Sequence, residues 1–441
     1  MVSFYLGFTL MGLAAYGLVA QPRSQRARLA ARRYLVWTIA GEMLLFVAIV
    51  MLVQQHSGAL AFSVLQSSPP APFVLLLLVT GFGIKLALPG LHLWLPQAYA
   101  VTPAPAVAVL SGAMLKAGLL GWLRFLPLGS TELLHWGQVL LIAGITGIFF
   151  GAIAGLLQRS PRLLLGYSSI SKAGVLTSGM GAALVWPETA PVVIAAVVIY
   201  AAHHALVKGA LFLGLGLVER SAVRPWTLAG LVFLALALAG APLTSGALAK
   251  SILTASLPQD AQQLVTLLAV SAFATTLLMA RFLFLVWRRR ASKYTPLPAE
   301  SLIAWWTLLV VIAAYPFVLA QLAQLMANLV PVLLGITSSL LLLLAIRRGS
   351  LPTPTRARRV TQACPAPRTM QAMRQLANAT QTVSGTLTVA SQSRFERVQQ
   401  AVKQRLLRPL APLNDAERWR LAGSLWLGIG GLLLSGFIFA M

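Results

Sequence analysis

The chain has 441 residues, 58% of them hydrophobic and 10% charged, with a net charge of +25. Soluble proteins carry about 25% charged residues, so a water-soluble globule of this length is excluded. The single cysteine, Cys364, excludes an internal disulfide and a cysteine-held iron–sulfur centre, and no glycine-rich phosphate loop of the Walker or Rossmann type is present.

Apolar runs of about 20 residues, the length that crosses a bilayer as a helix, recur along most of the sequence. They predict an all-α, polytopic membrane bundle of about twelve spans, at 1–20, 34–55, 72–92, 103–125, 135–157, 162–185, 191–218, 226–256, 262–287, 302–321, 325–346 and 420–440. The first run has its arginines after it, the reverse of a cleaved signal peptide, and is expected to stay as a span with its N-terminus outside. The second holds Glu42, the only carboxylate well inside a span, with Thr38 one turn before it on the same face. The third reads Gly81-Phe82-Gly83-Ile84-Lys85 and is followed by Pro89 and Pro96, which predicts an interrupted helix; Trp94, beside His92, suits an interface position.

In the fourth span Lys116 lies among small residues, Ser111-Gly112-Ala113 before it and Ala117-Gly118 after it, a pattern that allows close helix approach. Arg124, near the end of that span, can snorkel, and Glu132 and His135 face water at the start of the next. In the sixth span Lys172 follows Tyr167-Ser168-Ser169-Ile170-Ser171, with Ser168 on its own face. In the seventh, Tyr200, His204 and Lys208 share a face, while His203 points about 100° away and reads as a hydrogen-bonded structural histidine. The 226–256 stretch is too long for one straight helix, and Pro242 offers the break, eight residues before Lys250. Proline follows the lysine in the first interrupted span and precedes it in the second, the order expected of inverted repeats. The long connection 347–419 is basic; residues 369–408 would form an amphipathic helix of about 60 Å along the cytoplasmic face. The expected organisation is thus a transmembrane core over 1–346, a basic cytoplasmic linker over 347–419 and a last anchor over 420–441.

The charges fix an orientation. Loops after odd-numbered spans hold 27 of the 34 lysines and arginines and loops after even-numbered spans hold none. By the positive-inside rule the odd loops are cytoplasmic and both termini periplasmic, in a bacterial inner membrane. The positive charge is therefore topology and contact with anionic lipid, not a nucleic-acid footprint. Five of the seven lysines lie inside spans, whereas 25 of the 27 arginines lie in loops. Desolvated lysine can give up its proton, and arginine effectively cannot. An ionisable group at mid-membrane costs about 2.5–3.5 kcal/mol on insertion scales. Snorkelling or structural pairing explains one such lysine more readily than five.

Leu88-Pro89-Gly90-Leu91-His92-Leu93-Trp94-Leu95-Pro96-Gln97-Ala98, Tyr167 to Ser171, His204 to Phe212 and Pro242 to Lys250 together resemble the antiporter-like membrane subunits of respiratory complex I, Mrp-type cation/proton antiporters and membrane-bound hydrogenases, over roughly 1–290. The resemblance implies two broken helices in inverted repeats and an ion path of buried lysines. Lys85, Lys116 and Lys250 match the family's lysine positions, Lys172 stands where many members have histidine, and His204 and Lys208 match further central polar positions. Phe4 to Leu13 resembles the helix that carries the family's paired glutamate, but Thr9 stands there; Glu42 belongs to the next helix and is the candidate replacement. Full members have about four helices before this point, so either a separate chain supplies them or the subunit is degenerate. The resemblance implies a proton- or sodium-translocating subunit with other membrane subunits as partners. The alternative is a structural or adaptor subunit with an incomplete or partner-completed path. No cofactor, metal or catalytic site of its own is expected; redox work would belong to a partner.

Overall fold

The computed structural model describes residues 1–63, 69–221, 225–288, 297, 299–319 and 329–347. Among the described residues every regular element is helical. Seven helical stretches are long and apolar enough to cross a membrane, and three shorter apolar helices accompany them. The protein is a polytopic all-α membrane bundle, and its helices up to Leu340 form one compact unit. The expected linker, its lateral helix and the last span fall beyond 347, outside the described residues.

Helices α1 (Val2–Ala20) and α2 (Gln25–Gln55) form the first pair. Ser24 caps α2 by accepting a hydrogen bond from the Ala27 amide at 3.1 Å, so the helix starts inside the basic stretch, well before the apolar run. α3 (Pro72–Leu86) then stops short of the expected 92, and α4 (Leu95–Val101) follows a turn. The long 226–256 stretch is likewise two helices, α10 (Pro225–Ala239) and α11 (Ser245–Ala255).

The two interruptions share a backbone pattern. Ala87 and Gly90 have positive φ with Pro89 between them, and Gly240 and Leu243 have positive φ with Pro242 between them. Each break thus runs left-handed residue, any residue, proline, left-handed residue. In each, one left-handed position carries a side chain, Ala87 or Leu243, a conformation that costs about 1–2 kcal/mol. Trp94 is not at an interface: it is 1% exposed, and its indole N–H donates to the Ile84 carbonyl at 2.8 Å. That carbonyl lies in the last turn of α3, where it also accepts from the Ala87 amide at 3.1 Å. A buried indole there closes the break, which explains the correction.

The span predicted over 103–125 is a helix of three parts: α5 (Ala104–Val109), a π-helical turn over Leu110–Met114, and α6 (Leu115–Phe125). α7 (Leu134–Leu156) and α8 (Pro161–Val185) make the most extensive helix pair. Glycines spaced by seven, Gly137, Gly144 and Gly151 on α7 and Gly174 and Gly181 on α8, line the crossing. Small residues let backbones touch where no hydrophobic force acts between helices. α9 (Ala190–Arg220) runs through the middle, packed by α8, α10, α11 and the π turn. α12 (Gln262–Arg288), α13 (Ala299–Leu319) and α14 (Leu329–Arg347) complete the described chain. Leu10, Phe46, Ile142, Ile153 and Val310 are among the large apolar side chains turned outward, as a lipid-facing surface requires.

A Cβ added at Gly174 would stand 2.5 Å from the Gly144 carbonyl oxygen and 2.5 Å from the Ile148 nitrogen, whereas one at Gly7 would meet nothing within 4 Å. Gly174→Ala is therefore expected to destabilise the detergent-solubilised protein by about 1–3 kcal/mol and lower its thermal midpoint, with Gly7→Ala unchanged.

Candidate functional site

Lys85 sits in the last turn of α3, 3% exposed, and Glu42 projects from α2, also 3% exposed. The Lys85 Nζ lies 3.6 Å from a Glu42 carboxylate oxygen, 5.0 Å from the centre of the Phe8 ring and 5.8 Å from that of Tyr34. α1 contributes the wall. A Cβ on Gly12 would come within 2.8 Å of the Lys85 amine and would collide with the Glu42 carboxylate. Glycine at this position admits the pair between three helices. The Tyr34 hydroxyl donates to the Gly12 carbonyl at 3.0 Å and contacts Met114 Sδ at 3.4 Å, joining α1 and α2 to the π turn. Thr9 keeps a buried hydroxyl with no hydrogen-bond partner among the described residues.

The other four lysines are held by neutral acceptors. Lys116 donates to the Ser111 carbonyl inside the π turn at 2.6 Å. π turns displace the regular i to i−4 ladder, and the amine uses a carbonyl placed there. Lys172, 1% exposed, donates to the Thr275 hydroxyl of α12 at 2.5 Å, and Thr275 in turn donates to the Ser271 carbonyl at 2.6 Å. Lys208, fully buried on α9, donates to the Leu165 carbonyl at 2.8 Å and to the Ser168 hydroxyl. Lys250 reaches back from α11 to the Ala239 carbonyl, the last residue of α10. Its amine also abuts Gly240, where a Cβ would stand 2.8 Å away. The Lys250 amine thus meets the C-terminal end of a half-helix, whose partial negative charge favours a cation.

α9 carries the centre. His204 is fully buried, and neither ring nitrogen has a hydrogen-bond partner among the described residues. It lies within electrostatic reach of Lys116, Lys208 and Lys172. His203 lies within reach of Lys250, Lys172 and Lys116, and its Nδ1 is 2.9 Å from the Ser245 hydroxyl. Lys116, Lys172, Lys208, His204 and Lys250 therefore form one group, and Lys85 with Glu42 forms a second, beside it across the α3–α6 contact.

Two features differ from the sequence expectation. Ser168 serves Lys208 on another helix instead of Lys172 on its own. Thr275 holds Lys172 and was not singled out, although Ser271 and Thr275 recur at four-residue spacing in an apolar span. His203 is hydrogen-bonded as expected, and its partner is Ser245 at the second break. Pro89 and Pro242 lie in the two breaks as expected.

Removing one member of a buried ion pair leaves the other uncompensated. Lys85→Met and Glu42→Leu are each expected to destabilise the protein by about 3–5 kcal/mol, and the double variant by less than their sum. A denaturation cycle on the solubilised protein checks this; additive values would mean that the two groups do not interact.

The helical framework matches solved architecture. The Mrp complex from Dietzia sp. contains a chain that superposes with a TM-score of 0.58 at 21% identity, covering 68% of this chain and 59% of that one. Among curated proteins, hydrogenase-4 component B of Escherichia coli is 30% identical over 268 residues, 55% of this chain and 40% of the relative. NADH-quinone oxidoreductase subunit N of Desulforudis audaxviator is 30% identical over 307 residues, 63% of this chain and 59% of the relative. The matched region is thus less than two thirds of either curated relative's length. Residues 1–277, which contain every buried lysine described above, match the model of the NADH:quinone oxidoreductase/Mrp antiporter transmembrane family, and the chain belongs to that family.

Proposed function

We propose that the chain is an ion-translocating subunit of a multisubunit membrane complex of the respiratory, hydrogenase or Mrp-antiporter type, moving protons or sodium ions. The observation that carries this reading is the group of buried lysines, four of them held by carbonyls and hydroxyls and only one by a carboxylate. A neutral acceptor leaves an amine free to change protonation state when a neighbour's charge changes; a fixed counter-ion opposes it.

In this reading protons enter near Lys85, pass Lys116, Lys172 and the face of His204 and Lys208, and leave near Lys250. Glu42 takes the place of the paired glutamate absent at Thr9, and the spacing of 3.6 Å to Lys85 supports that substitution. A proton arriving at Lys116 would raise the potential at Lys208 and the two histidines, which lie within its reach, and so drive charge toward Lys250. The repeated backbone pattern of the two breaks, with its lysine before one and after the other, supports inverted repeats in the core over 1–346. The basic stretches after odd-numbered spans support a cytoplasmic location for those loops and a periplasmic N-terminus. The relatives, named as components and subunits of larger assemblies, support other membrane subunits of the same complex as partners.

A second reading, a structural or adaptor subunit with an incomplete or partner-completed path, is favoured by Thr9 at the position of the paired glutamate. Transport by the intact complex in proteoliposomes separates the two. Lys116→Ala is expected to lower ion translocation at least tenfold, to about 1.4 kcal/mol or more in barrier terms, with the complex still assembled. Unchanged transport in that variant would favour the structural subunit.

A further inference from the structure

We propose that His203, with Ser245, forms the proton-carrying branch that links the central lysines to Lys250. The inference rests on the translocation reading above and names residues that reading leaves unused.

His203 and His204 are chain neighbours on α9 but face different groups. His204 lies among Lys116, Lys208 and Lys172. His203 turns toward the second break, with Lys250 on α11, Lys172 on α8 and Lys116 on α6 within electrostatic reach and the Tyr200 ring in edge contact at 6.0 Å. It is 2% exposed, as is Ser245. The Nδ1 to Oγ distance of 2.9 Å is a full hydrogen bond. Ser245 is the first residue of α11, five before Lys250. Lys250 is folded back onto the end of α10 at Ala239, so the hydroxyl and the amine flank the same interruption. An imidazole with a hydroxyl on one ring nitrogen has what a two-sided carrier needs.

The transfer balances without any redox partner. His203 begins neutral, with its proton on Nδ1 and donated to Ser245 Oγ. A proton arriving at Nε2 from the central group forms an N–H bond as the donor's bond breaks. The Nδ1 proton passes to Ser245 Oγ, and the hydroxyl's own proton is released across water to the neutral Lys250 amine. The imidazole is left neutral with its proton on Nε2, and the next transfer begins once ring rotation turns that N–H toward Ser245 Oγ and leaves the bare Nδ1 facing the central group. One proton crosses and no electrons are transferred.

The test uses the intact complex in proteoliposomes, with assembly read by native gel and translocation by a pH-sensitive dye. His203→Asn keeps an amide able to bond Ser245 but cannot carry a proton. It is expected to lose translocation at least tenfold with assembly unchanged, as is Ser245→Ala. Near-normal transport in His203→Asn beside loss in His203→Ala would show that the side chain only braces the break, and would overturn the proposal. If His203→Asn does not assemble, Ser245→Ala decides: loss supports the branch and wild-type transport overturns it. Lys116→Ala in the same assay separates the two levels. Its loss beside an active His203→Asn defeats the branch alone, while its retention defeats the translocation reading as a whole.

Discussion

An ammonium group inside a bilayer has three donors and no bulk water, so each buried lysine needs acceptors from the fold. Regular helices have few to offer, because their carbonyls are already engaged. The structure meets the demand in two ways: at Lys116 and Lys250 where helices depart from regularity, and at Lys172 and Lys208 with hydroxyls and a carbonyl of neighbouring regular helices. Lys116 bonds a carbonyl in a π turn, Lys250 the carbonyl that ends α10, and Lys172 a threonine hydroxyl on α12. The breaks and the π turn are therefore not defects tolerated around a functional site. They are the source of the carbonyls that hold Lys116 and Lys250.

The same constraint explains the shape of the packing. Backbones must approach closely for one helix to serve another's side chain, and glycine sets that distance at Gly12 against the Lys85–Glu42 pair and at Gly240 against Lys250. α7 and α8 meet on glycines as well, which fixes α8 firmly enough to present Ser168 and Leu165 to Lys208 and Lys172 to Thr275. Charge, irregular backbone and small residues are one arrangement, seen from three sides.

Much of this was legible in the sequence because it depends on local chemistry. Apolar length marked the spans, proline near glycine marked both breaks, and lysine inside apolar runs marked the polar group. What was not legible depends on which helices become neighbours. Nothing in the spacing of Glu42 and Lys85 says that α2 and α3 set them 3.6 Å apart. Ser168 pairs by sequence with Lys172 along one helix face, yet the α8–α9 contact hands it to Lys208. The π turn left no signal beyond small residues before Lys116, and Trp94 read as an interface residue because its hydrogen-bond partner, the carbonyl of Ile84, exists only once the chain has turned.

Gly12 has a mechanical implication. α1 meets the Lys85–Glu42 pair through the Phe8 ring and, at Gly12, through a residue without a side chain, where backbone stands directly against the charges. α1 is also the least enclosed of the helices long enough to cross the membrane, with Leu6, Leu10 and Leu13 turned outward. A sideways push on this outer helix is transmitted directly to the gap between an amine and a carboxylate, where Coulomb attraction varies inversely with separation. The helix is built as a lever whose short arm ends on a charge.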